Sequence, residues 1–363
     1  MKMTFPHLGD AYILVHLVSQ EMGVDCVTPP LNSIDTLEKG SKYSPDEICL
    51  PFKLMVGNLI EGIEQGADTV VMVSSPGPCR LGEYGELLKS ILDKKGYKVD
   101  WILLDTIKDI GARELLRRAS DIWKDRKKSN IEWLLSLKNI YQIVKSLEKL
   151  EETARWLCGY EIKKGQIKRL LLQCKKEMFQ SKSIAEAHKT IQKYQSRINQ
   201  VPLDMNKDPV KIVLTGEIYS LIEPFGNHYI EERLMDMGVS FYKRISIGWW
   251  IESTIVKPFS RQKTMKKKNS YLDHCIGGYA KDTIEEVIEA KNKNFDGVIQ
   301  LLPLGCMPEI VTKSIISEMS NDLNIKTLTM VHDEMNGEAG YVTRIEAFID
   351  MLQRRKYHVL FGH

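Results

Sequence analysis

Three cysteines of this chain share a local sequence context that favours ionised thiols. Cys49 stands just before a helical pattern. Cys79 and Cys306 each lie between a strand pattern and a helical pattern. All three are therefore predicted at or near a helix N-terminus, where free backbone N–H groups and the positive end of the helix dipole favour a thiolate.

Thiolates from distant loops suit more than one role. Zinc ligands usually arrive in close pairs such as C-x-x-C, which the sequence lacks. An iron–sulfur cluster also takes thiolates, and a cubane held by three of them keeps one iron open for substrate or water. Free cysteines also fill protein cores. The local pattern alone leaves a cluster, a zinc or nucleophilic thiol, and inert core cysteines open, with core cysteines the first choice.

The other four cysteines carry weaker signals. Cys275 follows His274 and precedes a Gly-Gly pair, so it is a candidate fourth ligand, with a loop-buried cysteine as the simpler alternative. Cys26 lies in a strand pattern, and Cys158 and Cys174 lie in helical patterns. These three are interpreted as structural.

Polar residues gather after two further strand patterns, at Glu217, Glu223, Asn227 and His228 and at His332, Asp333, Glu334 and Glu338. They would shape a substrate pocket or a proton path, or else form solvated turns. The sequence has no G-x-x-x-x-G-K-[ST] loop and no G-x-G-x-x-G after a strand, so no nucleotide bound by the chain itself is predicted.

Composition limits the class of protein. The 363 residues are 43% apolar and 27% charged, which predicts a globular chain of more than one domain. The net charge of +3, from 51 basic and 48 acidic residues, is too balanced to suggest a surface that coats nucleic acid or a polybasic membrane anchor. No apolar run has membrane-spanning length and no secretory signal begins the sequence, so we expect a cytoplasmic protein with reduced thiols.

Strand and helix patterns alternate at both ends of the chain. The strand patterns are MTFP, VDCVTPP, DTVVMVSS and KVDWILLD near the start, and VKIVLTG, VSFYKRISI, GVIQLLPL and KTLTMVHD from Val210 onward. Such alternation predicts α/β domains with parallel sheets. Between them lies a charge-rich helical stretch. We therefore predict an N-terminal α/β domain over 1–106, a helical linker domain over 107–207 and a C-terminal α/β domain over 208–363, without a residue-level repeat between the halves.

Several long motifs resemble one known family. They include PPLNSIDTLEKGSKYSPDEICLPFKLMVGN, GPCRLGEYGELLK, GEIYSLIEPFGNHYIEERL, CIGGYAKDTIEEVI, FDGVIQLLPLGCMPEI and HDEMNGEAGYVTRIEAFIDML. The chain resembles the 2-hydroxyacyl-CoA dehydratase subunits, benzoyl-CoA reductase subunits and double-cubane cluster proteins. The closest resemblance is to stand-alone members described as acyl-CoA dehydratase activase-related proteins, and it covers both α/β halves.

The resemblance implies two flavodoxin-like domains that face each other across a cleft and a [4Fe–4S] cluster bound by Cys49, Cys79 and Cys306. It also implies electrons of low potential from a separate ATP-hydrolysing activator that has its own cluster, and a homo- or heterodimer. Two alternatives remain within the family. One is a double-cubane [8Fe–9S] reductase of small molecules, and the other is a non-catalytic accessory or scaffold subunit for the activator.

Overall fold

A computed structural model describes residues 1–73, 80–104, 107–122, 130–253, 271–335 and 337–361. The chain is an α/β protein with two parallel sheets, as the alternating patterns predict. It divides into two compact units, residues 1–147 with 174–192 and residues 148–173 with 193–363. No helix within the described ranges is both long and apolar enough to cross a membrane.

The sheet of the first unit contains β1 (Met3–Thr4), β2 (Thr69–Val73) and β3 (Asp100–Leu104), in the order β1-β2-β3 and all parallel. The segment VDCVTPP, predicted as a full strand, forms only an isolated parallel bridge between Cys26 and Met3. Two prolines at its end, Pro29 and Pro30, cannot donate ladder hydrogen bonds, which limits the pairing.

The helices before residue 200 are α1 (Ala11–Met22), α2 (Ile34–Tyr43), α3 (Leu50–Glu64), α4 (Tyr84–Lys94), α5 (Ile107–Ile122), α6 (Asn130–Leu157), α7 (Gln166–Phe179) and α8 (Ile184–Asn199). Gly23 ends α1 in the left-handed conformation at φ 66°. Gly111 interrupts α5 at φ 78°. Helices α6, α7 and α8 are shared between the two compact units, and the predicted boundaries at 106 and 207 stay predictions.

The sheet of the second unit contains β4 (Lys211–Gly216), β5 (Ser240–Tyr242), β6 (Gly297–Pro303) and β7 (Lys326–His332). The order is β5-β4-β6-β7, and all pairs are parallel. Every residue of β6 is buried, which explains why GVIQLLPL reads as a nearly continuous apolar run.

The later helices are α9 (Ile218–Ile222), α10 (Ile230–Met237), α11 (Ile247–Ile251), α12 (Ala280–Asn292), α13 (Met307–Asp322) and α14 (Glu338–Phe361). A core between the sheet and two of these helices combines Val213 and Val298 with Ile284 of α12 and with Ile316 and Met319 of α13. This packing fixes both helices against β4 and β6, so the loops at the carboxyl ends of these strands have a rigid support.

Candidate functional site

Cys49 is the N-cap of α3, as predicted. Its backbone is extended, at φ −68° and ψ 152°, and Pro51 is the second residue of the helix. Proline suits this first turn because its fixed φ matches the helix and the missing N–H costs no intrahelical bond. The thiol is partly buried, and Cys49 Sγ lies within hydrogen-bond distance of the hydroxyl of Tyr84, the first residue of α4.

Two glycines bring the backbone of α3 unusually close to its neighbours. A Cβ atom on Gly62 would lie 2.1 Å from Oγ1 of Thr4 in β1, and one on Gly57 would lie 2.0 Å from the carbonyl oxygen of Thr36 in α2. The hydroxyl of Thr36 also donates to Glu61 Oε2 at 3.0 Å. Close packing on two sides therefore fixes α3, the helix that Cys49 caps, against β1 and α2.

A buried polar network joins the carboxyl end of β1 to the same helix. The backbone N–H of His7 donates to Asn58 Oδ1 at 3.1 Å, and Asn58 Nδ2 donates to Asn32 Oδ1 at 2.9 Å. His7 Nε2 lies 2.7 Å from the carbonyl oxygen of Pro29. These residues carried no signal in the sequence beyond their polar type, because their partners are 22 to 51 positions away.

Cys79, the second candidate ligand, lies outside the described residues. In chain order it follows β2, which ends at Val73, and precedes a short 3₁₀ turn, Arg80–Glu83. Its predicted role stays a prediction.

Cys306 is the N-cap of α13, again as predicted. It follows β6 through a tight turn in which Gly305 adopts φ 82°, a conformation that favours glycine. Its side chain is buried, and Pro308 is the second residue of the helix. Cys49 and Cys306 thus share one local design, an N-cap cysteine followed two residues later by proline.

The first turn of α13 carries a buried carboxyl group. Glu309 accepts hydrogen bonds from Gln300 Nε2 and Thr312 Oγ1, each at 2.9 Å, and from Thr283 Oγ1 at 3.1 Å. Burial raises the pKa of Glu309 to about 7, against the opposing effect of these donors, and the charge of Glu217 raises it further. Near neutral pH this group can take up or release a proton. Glu309 has no distinguishing signal in the sequence, because its partners Thr283 and Gln300 are 26 and 9 positions away.

Glu217 occupies the neighbouring strand end. It caps α9, because its carboxylate accepts from the backbone N–H groups of Tyr219 and Ser220, each at 2.9 Å, and burial raises its pKa. In the order β5-β4-β6-β7 the chain leaves β4 in one direction and continues from β6 in the other. Open α/β sheets bind ligands at such a switch point, and here it lies between the loops that carry Glu217 and Cys306.

Cys275 is exposed, in the loop before α12. That loop lies against the start of α13, because a Cβ atom on Gly278 would be 3.2 Å from Pro308 Cβ. The structure therefore brings the loop of the candidate fourth ligand beside the helix that Cys306 caps. Cys158 and Cys174 are buried, in agreement with their interpretation as structural, and Cys26 is partly buried.

Two of the predicted polar residues, His228 and His332, lie in an aromatic cluster with Tyr341. The ring centroid of Tyr341 lies 5.2 Å from that of His332 and 4.7 Å from that of His228. Burial lowers the pKa of His332 to about 3, so its imidazole is neutral. Within the described part of the chain, neither ring nitrogen of His332 has a hydrogen-bond partner. Glu338 forms an ion pair with Arg233 at the surface of the cluster.

Among the described residues, no group of three or more His, Cys, Asp and Glu side chains has an arrangement that could hold a metal ion. The donors nevertheless fit an iron–sulfur cluster in kind. Cys49 and Cys306 stand at helix N-termini, which stabilise the negative charge of a cluster bound there. The hydroxyl group of Tyr84 beside the sulfur of Cys49 is a hydrogen-bond partner of the kind that cluster ligands have. No known protein-family model matches the chain, and comparison with curated proteins finds no match.

Proposed function

We propose that the chain is a cytoplasmic, oxygen-sensitive iron–sulfur protein of the 2-hydroxyacyl-CoA dehydratase type. Cys49, Cys79 and Cys306 would bind one [4Fe–4S] cluster. Electrons of low potential would come from a separate ATP-hydrolysing activator that has its own cluster, and the chain would work as a homo- or heterodimer for reductive chemistry on a bound substrate. The chain itself would bind no nucleotide.

One observation carries the proposal, namely the shared design of Cys49 and Cys306. Two cysteines 257 positions apart in the numbering both cap helices, and both are followed by proline at the second helical position. Core cysteines require no helix N-terminus, whereas a thiolate that binds a metal centre gains from the dipole and the N–H groups there. The repeated placement supports a ligand role over space filling.

When bound, the cluster would supply one-electron transfer and an iron with an open coordination position. The chain's own residues would bind the cluster and would hold or release protons beside it. The N-termini of α3 and α13 would stabilise negative charge at the cysteines. Glu309, buried in the first turn of α13, would hold a proton at the edge of the sheet where a substrate would bind, beside the α9 helix that Glu217 caps.

Sheet topology supports the finer proposal that both domains are flavodoxin-like. The second sheet runs β5-β4-β6-β7, which in order of appearance is 2-1-3-4. The first sheet has the same order if the bridged segment at Cys26 counts as its second strand, beside β1, β2 and β3. Flavodoxin-like sheets follow this order and bind ligands between the first and third strands.

The same correspondence supports an alternative coordination, in which Cys275 is a fourth ligand and occupies the coordination position that three cysteines would leave open. Cys79 and Cys306 both follow the third strand of their sheets, β2 and β6. Cys49 and Cys275 both lie before the helix that leads into that third strand, α3 and α12. Each half thus has one cysteine after its third strand and one before the helix that leads into it, with Cys49 as the cap of α3 and Cys275 in the loop that precedes α12.

The surface beside Cys306 supports the proposed activator. Leu304, Met307 and Ile310 are large apolar side chains that are exposed around this one cysteine. Clustered apolar side chains at a surface are typical of sites that bind another protein.

Anaerobic purification and reconstitution, followed by iron and sulfide analysis and electron paramagnetic resonance, test the proposal. About four irons per chain with a cubane signal are expected, and about eight would favour the double-cubane alternative. Reconstituted protein without iron and sulfide would refute both. An accessory subunit would co-purify with the activator yet remain inactive in every reduction assay.

A further inference from the structure

The hydroxyl group of Tyr84 lies beside the sulfur of Cys49. The tyrosine side chain is 3% exposed, and its Oη is within hydrogen-bond distance of Cys49 Sγ. The ring of Phe52, three residues after Cys49, meets the tyrosine ring edge to face, with centroids 4.8 Å apart and an interplanar angle of 74°. The phenol is therefore oriented by packing as well as by its polar contact.

Both partners stand on well-fixed helices. A Cβ atom on Gly85, the residue after Tyr84, would lie 2.9 Å from Cδ2 of Leu103 in β3, so the start of α4 is close to the sheet. Gly62 holds α3 against β1 in the same manner. The contact between hydroxyl and sulfur thus joins two helix N-termini that the sheet positions independently.

We propose that Tyr84 is a positioning residue that donates its phenolic hydrogen to the sulfur of Cys49 and stabilises negative charge there. This inference rests on the proposed function, since it assigns a tuning role at one of the cluster's ligands. A hydrogen bond to an ionised sulfur is stronger than one between neutral groups. Hydrogen bonds to the sulfurs of a cluster also set its reduction potential.

The alternative is that Tyr84 only fills space. A phenylalanine would make the same edge-to-face contact with Phe52, so the ring alone does not explain the hydroxyl. Buried hydroxyl groups are found where a polar partner satisfies them, and Cys49 Sγ is such a partner. If Tyr84 donates a hydrogen bond, removal of its hydroxyl group destabilises negative charge on the sulfur of Cys49. If it only fills space, the removal leaves the sulfur unchanged.

The test compares Tyr84→Phe with Tyr97→Phe in the full chain. Tyr97 belongs to the same unit, is only partly buried, and directs its hydroxyl to Glu64 at 3.4 Å. In anaerobically reconstituted protein, Tyr84→Phe should make the midpoint potential more negative. In apo protein, alkylation of Cys49 by iodoacetamide at pH 7, followed by mass spectrometry of its peptide, should be about tenfold slower. Tyr97→Phe should change neither quantity.

A second variant covers the case in which Tyr84→Phe fails to fold. Incorporation of 3-fluorotyrosine at position 84 keeps the shape and makes the phenol a stronger donor, so alkylation should become faster and the potential less negative. Unchanged rates in both variants would refute the role of Tyr84. If the wild-type protein binds no iron, the proposed function fails, while the alkylation comparison in apo protein still decides this inference.

Discussion

The backbone of Gly40 in α2 approaches the carbonyl oxygen of Lys53 in α3 so closely that a Cβ atom on Gly40 would lie 1.7 Å from it. Only a glycine permits this distance, and the obstacle is main chain, which cannot rotate away. Because α3 begins at Leu50, directly after Cys49, the contact lies one turn from the candidate ligand. Helix packing and the position of the thiol are therefore linked.

Gly40→Ala should lower the free energy of unfolding by about 3 kcal/mol, since α2 and α3 must separate to admit one methyl group. Urea denaturation followed by circular dichroism measures this change. Gly340→Ala is the matched control, because its Cβ would meet no atom within 4 Å and alanine favours the helix. Equal effects of the two substitutions would contradict the packing argument.

Substitution of the candidate ligands should lower iron content. Cys49→Ser and Cys306→Ser should each reduce the iron retained by anaerobically reconstituted protein at least about twofold, because an alcohol is a poor substitute for a thiolate ligand. Cys26→Ser is the control, since burial raises the pKa of the Cys26 thiol to about 11 and disfavours a thiolate there. Iron content that is insensitive to Cys306→Ser would remove this residue from the ligand set.

Features of this fold that depend on neighbouring residues can be predicted from the sequence, whereas those that depend on contacts between residues far apart in the sequence cannot. The α/β class, the parallel sheets and the location of Cys49 and Cys306 at or near helix N-termini follow from local patterns, because strand runs, prolines and glycines act over a few residues. Helix α2 has a weak helical pattern in the sequence although Ser33 and Thr36 form a capping box, because the residues that it buries, Thr36 and Gly40, are not large apolar ones. The network around Glu309 joins positions up to 26 residues apart and left no pattern to detect.

Cys275→Ser distinguishes two coordination schemes. If Cys275 is a fourth ligand, the variant should retain less iron, as Cys49→Ser should, and show an altered electron paramagnetic resonance spectrum, because serine is a poor substitute for a thiolate ligand. If three cysteines suffice, the spectrum should match that of the wild type. Ala substitution at the exposed, neighbouring His274 serves as the control for changes to the loop.

Glu309→Gln should alter how stability depends on pH. Burial raises the pKa of Glu309 to about 7, so the native state retains a proton that the unfolded chain loses near its ordinary value of about 4.3. The native state then binds more protons between these values, and its free energy of unfolding must fall as pH rises from about 4.3 to about 7. Below about pH 4.3 the full contribution of Glu309 to the free energy of unfolding is present, and above about pH 7 this contribution does not fall further.

In Glu309→Gln this part of the pH dependence should disappear, because the amide resembles the protonated acid and still accepts from Gln300 and the nearby threonines. Each unit of pKa displacement corresponds to about 1.4 kcal/mol, so wild type should lose about 2 to 3 kcal/mol more than the variant between pH 4.5 and pH 8. Denaturant titrations at several pH values measure the difference. Glu318→Gln, on the exposed side of the same helix, should follow the wild-type curve. Parallel curves for wild type and Glu309→Gln would show that Glu309 is ionised throughout, and the proton role proposed for the edge beside Cys306 would then fail.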